Sequence, residues 1–194
     1  MSRAGGTKSA GQQAKKNIIE AARQFFYEYG YLGVSMSDIA SRLNMTKAAL
    51  YYHFTGKNEI FKTVLDEAFT ELNQALTEAK NEKTAERKLE GLIKAYFQFG
   101  AREKNLTKAL VLKHAPNGTK ITEHIAELRT KLINLIQPVV EEVLAGKKIV
   151  KQVDGHTYTL LLIGMMDGLL LEYSLFKRKI EPDEIARAIM LALF

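Results

Sequence analysis

The chain has 194 residues, 28 Lys and Arg against 22 Asp and Glu, a formal net charge of +6 and no cysteine. That length supports one sizeable core, or a small domain beside a medium one. The absence of thiols excludes disulfide staples, thiolate metal sites and thiol nucleophiles, and residues 1–16 lack the apolar run of a secretory signal. The positive excess is uneven. Residues 1–62 hold nine bases and four acids, so five of the six net charges lie in the first third, as a phosphate-binding surface requires.

Residues 1–11, rich in Gly, Ser and Lys, read as a disordered basic arm: either a plain tail or one that reaches a groove or the phosphates of DNA. A helix is predicted from about Gln12 to Tyr29, with Ile18, Ala22, Phe25, Phe26 and Tyr29 inward and Gly30 as its stop. Then comes the stretch SMSDIASRLNMTKAALYYHFTGK, Ser35 to Lys57. Met36, Ile39, Ala40 and Leu43 lie at i, i+3, i+4 and i+7, one apolar face of a short helix. Ser35 is placed to cap it, with Asp38 three residues on. Asn44 can take the left-handed turn conformation, Met45 plugs the turn and Thr46 caps a second helix, in which Leu50 and Phe54 face inward. Thr46, Lys47, Ala48, Ala49, Tyr51 and Tyr52 are left outward, joined by His53. Such a set makes a poor solvated face and a good one for a DNA groove, because Tyr, Thr and Lys donate to phosphates while Ala touches thymine methyls. Taken singly, the tyrosines and His53 fit packing on neighbouring helices equally well.

This stretch resembles the helix-turn-helix signature of TetR-family transcriptional regulators, over about Gln13 to Glu71. The D-I-A triplet, the small-residue turn, L-Y-x-x-F and the lysine three residues later fall in register. The turn glycine is replaced by Asn44, and the small residue often Gly in the recognition helix is Ala48. The resemblance implies a DNA-binding domain over 13–73, its helix-turn-helix motif at about 36–55, and a regulatory and dimerisation domain over 74–194. Thr46, Lys47, Ala48, Ala49, Tyr51 and Tyr52 then enter the major groove. Ser35, His53 and Lys57 fix phosphates, and Ser37 reaches a base or the backbone.

A long helix from Lys57 to about Lys80 starts shortly after the recognition helix, so its motion is tied to the DNA reader. It carries Ile60, Phe61, Val64, Leu65, Ala68, Phe69, Leu72 and Leu76 on a broad apolar face. Helices follow at about 85–103 and 106–113, then the turn 115–118. A long amphipathic helix at 119–145 carries Pro138, where a kink is expected. After the polar loop 147–155 come two last helices, about 156–177 and 182–194. The run Leu160 to Leu171 is apolar nearly all round but too short to span a bilayer. Gly164 and Gly168 let another helix approach. Leu160, Gly164, Gly168, Leu171, Ile185, Ile189 and Leu193 are therefore read as half of a four-helix dimer interface, the use the TetR family makes of its last two helices.

The fold class is thus all-α, with about nine helices: a three-helix DNA-binding part and a helical ligand-binding and dimerisation part. Asp167 stands out in an apolar helix, because a buried carboxylate must be paired or protonated. It faces an effector, a helix terminus or a dimer partner. Tyr96, Arg102, His114, Tyr158 and Tyr173 are further ligand-pocket candidates, each also explicable as structural. Glu123, His124 and Glu127 read as a solvated helix face rather than a metal pair. No metal or cofactor is implied, and an enzyme is hard to build from scattered histidines without a phosphate loop or nucleophile elbow. The expectation is a cytoplasmic homodimeric repressor on a palindromic operator, away from membranes and released by a small, largely apolar effector. A ligand-independent accessory DNA-binding protein is the alternative and an enzyme the last choice.

Overall fold

The computed structural model describes residues 5–103, 120–147, 153–176, 178–179 and 181–193, with side chains from Ala10 onward. These residues hold eight helices and no strand: α1 (Gly5–Tyr29), α2 (Met36–Arg42), α3 (Lys47–His53), α4 (Lys57–Ala79), α5 (Ala85–Arg102), α6 (Lys120–Ala145), α7 (Gly155–Leu175) and α8 (Pro182–Leu193). The helix expected at 106–113, the turn at 115–118, His114, residues 1–4 and most of the loop at 147–155 lie outside the described residues.

The expected apolar stripes become the core. Ile18, Ile19, Ala22 and Phe26 on α1 meet Met36, Ile39 and Ala40 on α2 and Leu50 on α3, all buried. The first turns of α4 close this unit: the Phe26 and Phe61 rings meet edge to face at 4.8 Å, and Tyr31 lies 4.8 Å from Phe61. Beyond that point α4 leaves the unit and packs on α5 and α6. α5 is central, touching α4, α6, α7 and α8. Gly100 makes that possible, since a Cβ there would stand 2.5 Å from the Leu170 side chain of α7. One apolar core runs unbroken from Ile18 to Ile189, so the two expected domains share α4.

Four expectations change. α1 begins at Gly5, so residues 5–11 continue the helix instead of forming a free arm. Tyr29 is 59% exposed although its spacing keeps it on the line of Ile18 and Ala22, and its ring lies 5.9 Å from that of Phe25. α7 has 21 residues and is long and apolar enough to cross a membrane. The helix outruns the apolar stretch at both ends, although its inner face, including Thr159 and Asp167, is spent on the core. Finally, Ile185 and Ile189 are buried within this chain, because α8 turns its apolar face to α5. What α8 leaves outward is Asp183, Glu184, Arg187, Ala188, Leu191 and Ala192.

Candidate nucleic-acid interface and effector cavity

Two short helices of seven residues each cannot hold themselves, so their ends are fastened. Ser35 and Asp38 form a reciprocal capping box. The Asp38 amide donates to Ser35 Oγ at 3.2 Å, and the Ser35 amide and hydroxyl donate to Asp38 Oδ2 at 2.8 and 2.6 Å. These Ser35 hydrogen bonds lower the Asp38 pKa. Ser35 therefore already uses its amide and hydroxyl internally, and its expected phosphate contact competes with the cap. Asn44 takes φ 51°, the only non-glycine at positive φ among the described residues, and Met45 N closes the turn on Ala40 O at 2.9 Å. Thr46 caps α3 by accepting from the Ala49 amide at 3.1 Å, which leaves its hydroxyl proton free to donate outward.

With Leu50 fully buried beneath it, α3 presents Lys47, Ala48, Tyr51 and Tyr52 to solvent. Tyr52 is 85% exposed. Ser37 and Thr46 are also exposed, while Ala49 and His53 are half-buried. His53 lies edge-on to Tyr52 at 5.1 Å. An exposed tyrosine with no core role costs hydration of its ring for no packing return, and a groove is where that ring and hydroxyl are both used. Lys57 is half-buried. Its Nζ donates to Tyr31 O at 2.9 Å and stands 4.2 Å from the Tyr31 ring centroid. Burial lowers its pKa. Its ammonium retains further donors for a phosphate, but it also ties α4 to the loop after α1.

The second site lies between the helices that α4 joins. Phe69 and Leu72 of α4, Tyr96 and Phe99 of α5, Leu128, Arg129 and Leu132 of α6, and Leu170 of α7 surround a cavity of about 20 Å³, about the space of one water. Beside it Asp167 is buried, accepting from the Tyr96 hydroxyl on one oxygen and from Arg129 Nη2 on the other at 2.6 Å. Burial, then the Asp167 charge, pushes the Tyr96 phenol well up, so it keeps its proton to donate. Burial opposes the Arg129 charge, but Asp167 outweighs it and the guanidinium pKa is raised. Tyr96 and Asp167, paired by the fold, were legible as oddities; Arg129 was not singled out. Its signal was a lone base inside the apolar stripe Ile125, Leu128, Leu132, where a buried carboxylate elsewhere needed a partner.

The other ligand candidates go elsewhere. Arg102 is 59% exposed and bridges Glu71 at 2.6 Å and Glu103 at 3.0 Å. Tyr158 and Tyr173 are half-buried against the core and do not line this cavity. His124, read as solvated, is 5% exposed and places Nε2 2.6 Å from Asp66 Oδ1, because it faces α4 rather than water. Among the described residues no group of three or more His, Cys, Asp or Glu is placed to hold a metal.

Comparison with known proteins places this geometry. Residues 18–64 match the family described as bacterial regulatory proteins, tetR family. The chain is 30% identical over 122 residues to IcaR of Staphylococcus epidermidis, an HTH-type negative transcriptional regulator of the biofilm operon icaADBC. That alignment covers 61% of this chain and 64% of IcaR. Residues 18–64 are thus similar to the DNA-binding domain of tetR-family regulators. A second relative, the HTH-type transcriptional regulator TtgR of Pseudomonas putida, is 38% identical over 60 residues, covering 31% of this chain and 29% of TtgR. The matched stretch thus spans less than two thirds of either relative's length. Across the whole fold the chain is similar to the transcriptional regulator FadR of Bacillus subtilis, solved in complex with stearoyl-CoA. The TM-score is 0.79 at 21% identity, covering 92% of this chain and 96% of that one.

Proposed function

We propose that this chain is a cytoplasmic, homodimeric TetR-family transcriptional repressor that binds a palindromic operator and is released by a small, largely apolar effector. The observation that carries the reading is the short mechanical path between the two sites. Only Phe54, Thr55 and Gly56 separate α3 from α4, Phe54 is buried, and α4 itself supplies Phe69 and Leu72 to the cavity wall. A cavity of about 20 Å³ admits no effector unless α4, α6 and α7 separate. Entry therefore displaces the helix that carries the DNA reader. Moving a DNA-competent population from 99:1 to 1:99 takes a preference of about 5.5 kcal/mol, roughly half of that from each site of a dimer. Stearoyl-CoA in FadR supports an effector with a long apolar part. For assembly, α7 leaves Leu160, Leu161, Gly164, Gly168 and Leu175 outward, and α8 leaves Leu191 at 87% exposure. Apart from the backbone of α7 itself, no atom of the described residues comes within 4 Å of a Cβ built at Gly164 or Gly168. This is room on α7 for a second copy's helix, and Leu191 replaces Ile185 and Ile189 as what α8 offers to a partner.

Binding-site selection from random duplexes tests the reading. The expected product is a palindrome with half-sites about 34–36 Å apart. Lys47→Ala is expected to weaken its binding by about 1–3 kcal/mol and to relax one base pair per half-site. Binding that enriches no motif and follows salt alone would transfer the protein to the ligand-independent accessory class.

A further inference from the structure

The effector cavity is apolar except at one corner, and that corner is chemically one-sided. Phe69, Leu72, Phe99 and Leu170 offer nothing but hydrocarbon, while Arg129 is the one charged side chain among the lining residues. Asp167 sits behind Arg129 and does not line the space. The Tyr96 proton is committed to Asp167, so the hydroxyl presents no donor to a ligand. Arg129 is different. A guanidinium has five N–H donors; Nη2 meets Asp167 and a further hydrogen bond goes to the Tyr96 oxygen, which leaves others over. Its side chain is 30% exposed, so donors that now meet solvent would be stripped of it by an occupant. An apolar ligand sealing the space would leave those donors dry, which is costly for a charged group. A cationic head would meet the guanidinium first and be repelled. A ligand with an anionic oxygen head avoids both costs.

Resting on the reading of this cavity as the effector site, we propose that Arg129 is the specificity-determining residue and that the effector is a carboxylate-headed amphiphile. Its apolar body parts α4 from α6 and α7, and its carboxylate takes the Arg129 donors that Asp167 leaves free. Asp167 then has two roles. It holds the guanidinium at the cavity corner directly, itself fixed by the Tyr96 hydroxyl, and it competes with the ligand for the same positive charge. Removing that competing charge while keeping the shape is expected to strengthen binding of an acid, the reverse of what loss of a merely structural partner does.

The test titrates the full-length chain calorimetrically, below micellar concentration at pH 7.5, with decanoate, methyl decanoate, decan-1-ol and decylamine. Decanoate is expected to bind the wild type at least about 10-fold more tightly than the other three, the scale of a charge-assisted hydrogen bond. Arg129→Met is expected to remove that advantage, so that decanoate no longer binds more tightly than decan-1-ol. Asp167→Asn is expected to tighten decanoate several-fold relative to decan-1-ol. Equal binding of methyl decanoate and decanoate would overturn the anionic head, as would preference for decylamine. So would weaker decanoate binding by Asp167→Asn. If Arg129→Met does not fold, the wild-type order and Asp167→Asn decide. A cavity that takes decylamine or decan-1-ol best retains effector binding and loses only this ligand class. If none of the four binds, the class is overturned while the duplex selection described above judges DNA recognition separately.

Discussion

Arg23→Ala tests how firmly the DNA-reading unit is bolted to the rest of the molecule. Arg23 on α1 reaches Glu71 of α4 with Nη1 at 2.6 Å and Glu103, just past α5, with Nη2 at 3.0 Å. Arg102 closes the ring by pairing with the same two carboxylates. Glu71 is 41% exposed, so its share is that of a surface pair, about 0.5 kcal/mol. Glu103 is 3% exposed, and its Oε2 has no hydrogen-bond partner among the described residues. Losing a charge-assisted bond to so buried a group costs about 1.5–2 kcal/mol. The 3–5 kcal/mol typical of an orphaned buried charge is not reached, because Arg102 remains. The expected loss is thus about 2–2.5 kcal/mol at pH 7, read by urea denaturation.

The pH dependence of that loss has a definite sign. Burial raises the Glu103 pKa, so the folded state holds this proton more tightly than the unfolded one. Its contribution to stability is greatest at low pH and falls as pH rises from the ordinary 4.5 through the raised value. The Arg23 hydrogen bond lowers the Glu71 pKa, so its contribution is present above the ordinary 4.5 and is lost as pH falls. Protonating either carboxylate weakens its bond to Arg23, and the cost of Arg23→Ala is expected to shrink on acidification. In a Glu103→Gln background the cost is expected to drop to about 1 kcal/mol, since no buried charge is left to orphan. A cost below about 0.5 kcal/mol, or one unchanged by Glu103→Gln, would show the ring to be solvated decoration and refute the argument.

Other expectations follow from single features. Asn44→Ala places a Cβ-bearing residue without a helping side-chain amide at φ 51°, and is expected to cost about 1 kcal/mol, whereas Asn44→Gly is expected to be close to neutral in thermal melts. Leu161→Glu on the outward face of α7 is expected to yield folded monomers by sedimentation, while Ile189→Glu unfolds the chain, because only the second is core. A monomeric wild type would defeat the interface. Lys57→Ala is expected to lower the salt slope of DNA binding by about one and also the melting temperature, through the lost bond to Tyr31 O. An unchanged slope would remove Lys57 from the phosphate contacts.

The local parts of this protein were written in its sequence. The capping residues Ser35 and Thr46, the turn at Asn44 and the stripes of α2 to α6 depend on neighbours within four residues, and periodicity reports those faithfully. The outward tyrosines of α3 were legible for the same reason: a seven-residue helix with Leu50 inside has only one other side. Tertiary structure alone decided the partnerships between distant residues. Tyr96, Arg129 and Asp167 come from three helices, as do Arg23, Glu71 and Glu103 once the end of α5 is counted, and no local pattern encodes which charge will meet which. It likewise decided the faces of α7 and α8. Both helices carry more apolar surface than one contact needs, so their sequences name the residues able to be buried but not the side that the core uses. Only the packing of α8 on α5 showed that Ile185 and Ile189 are spent inside, leaving Leu191 and the Gly164–Gly168 strip for a neighbour.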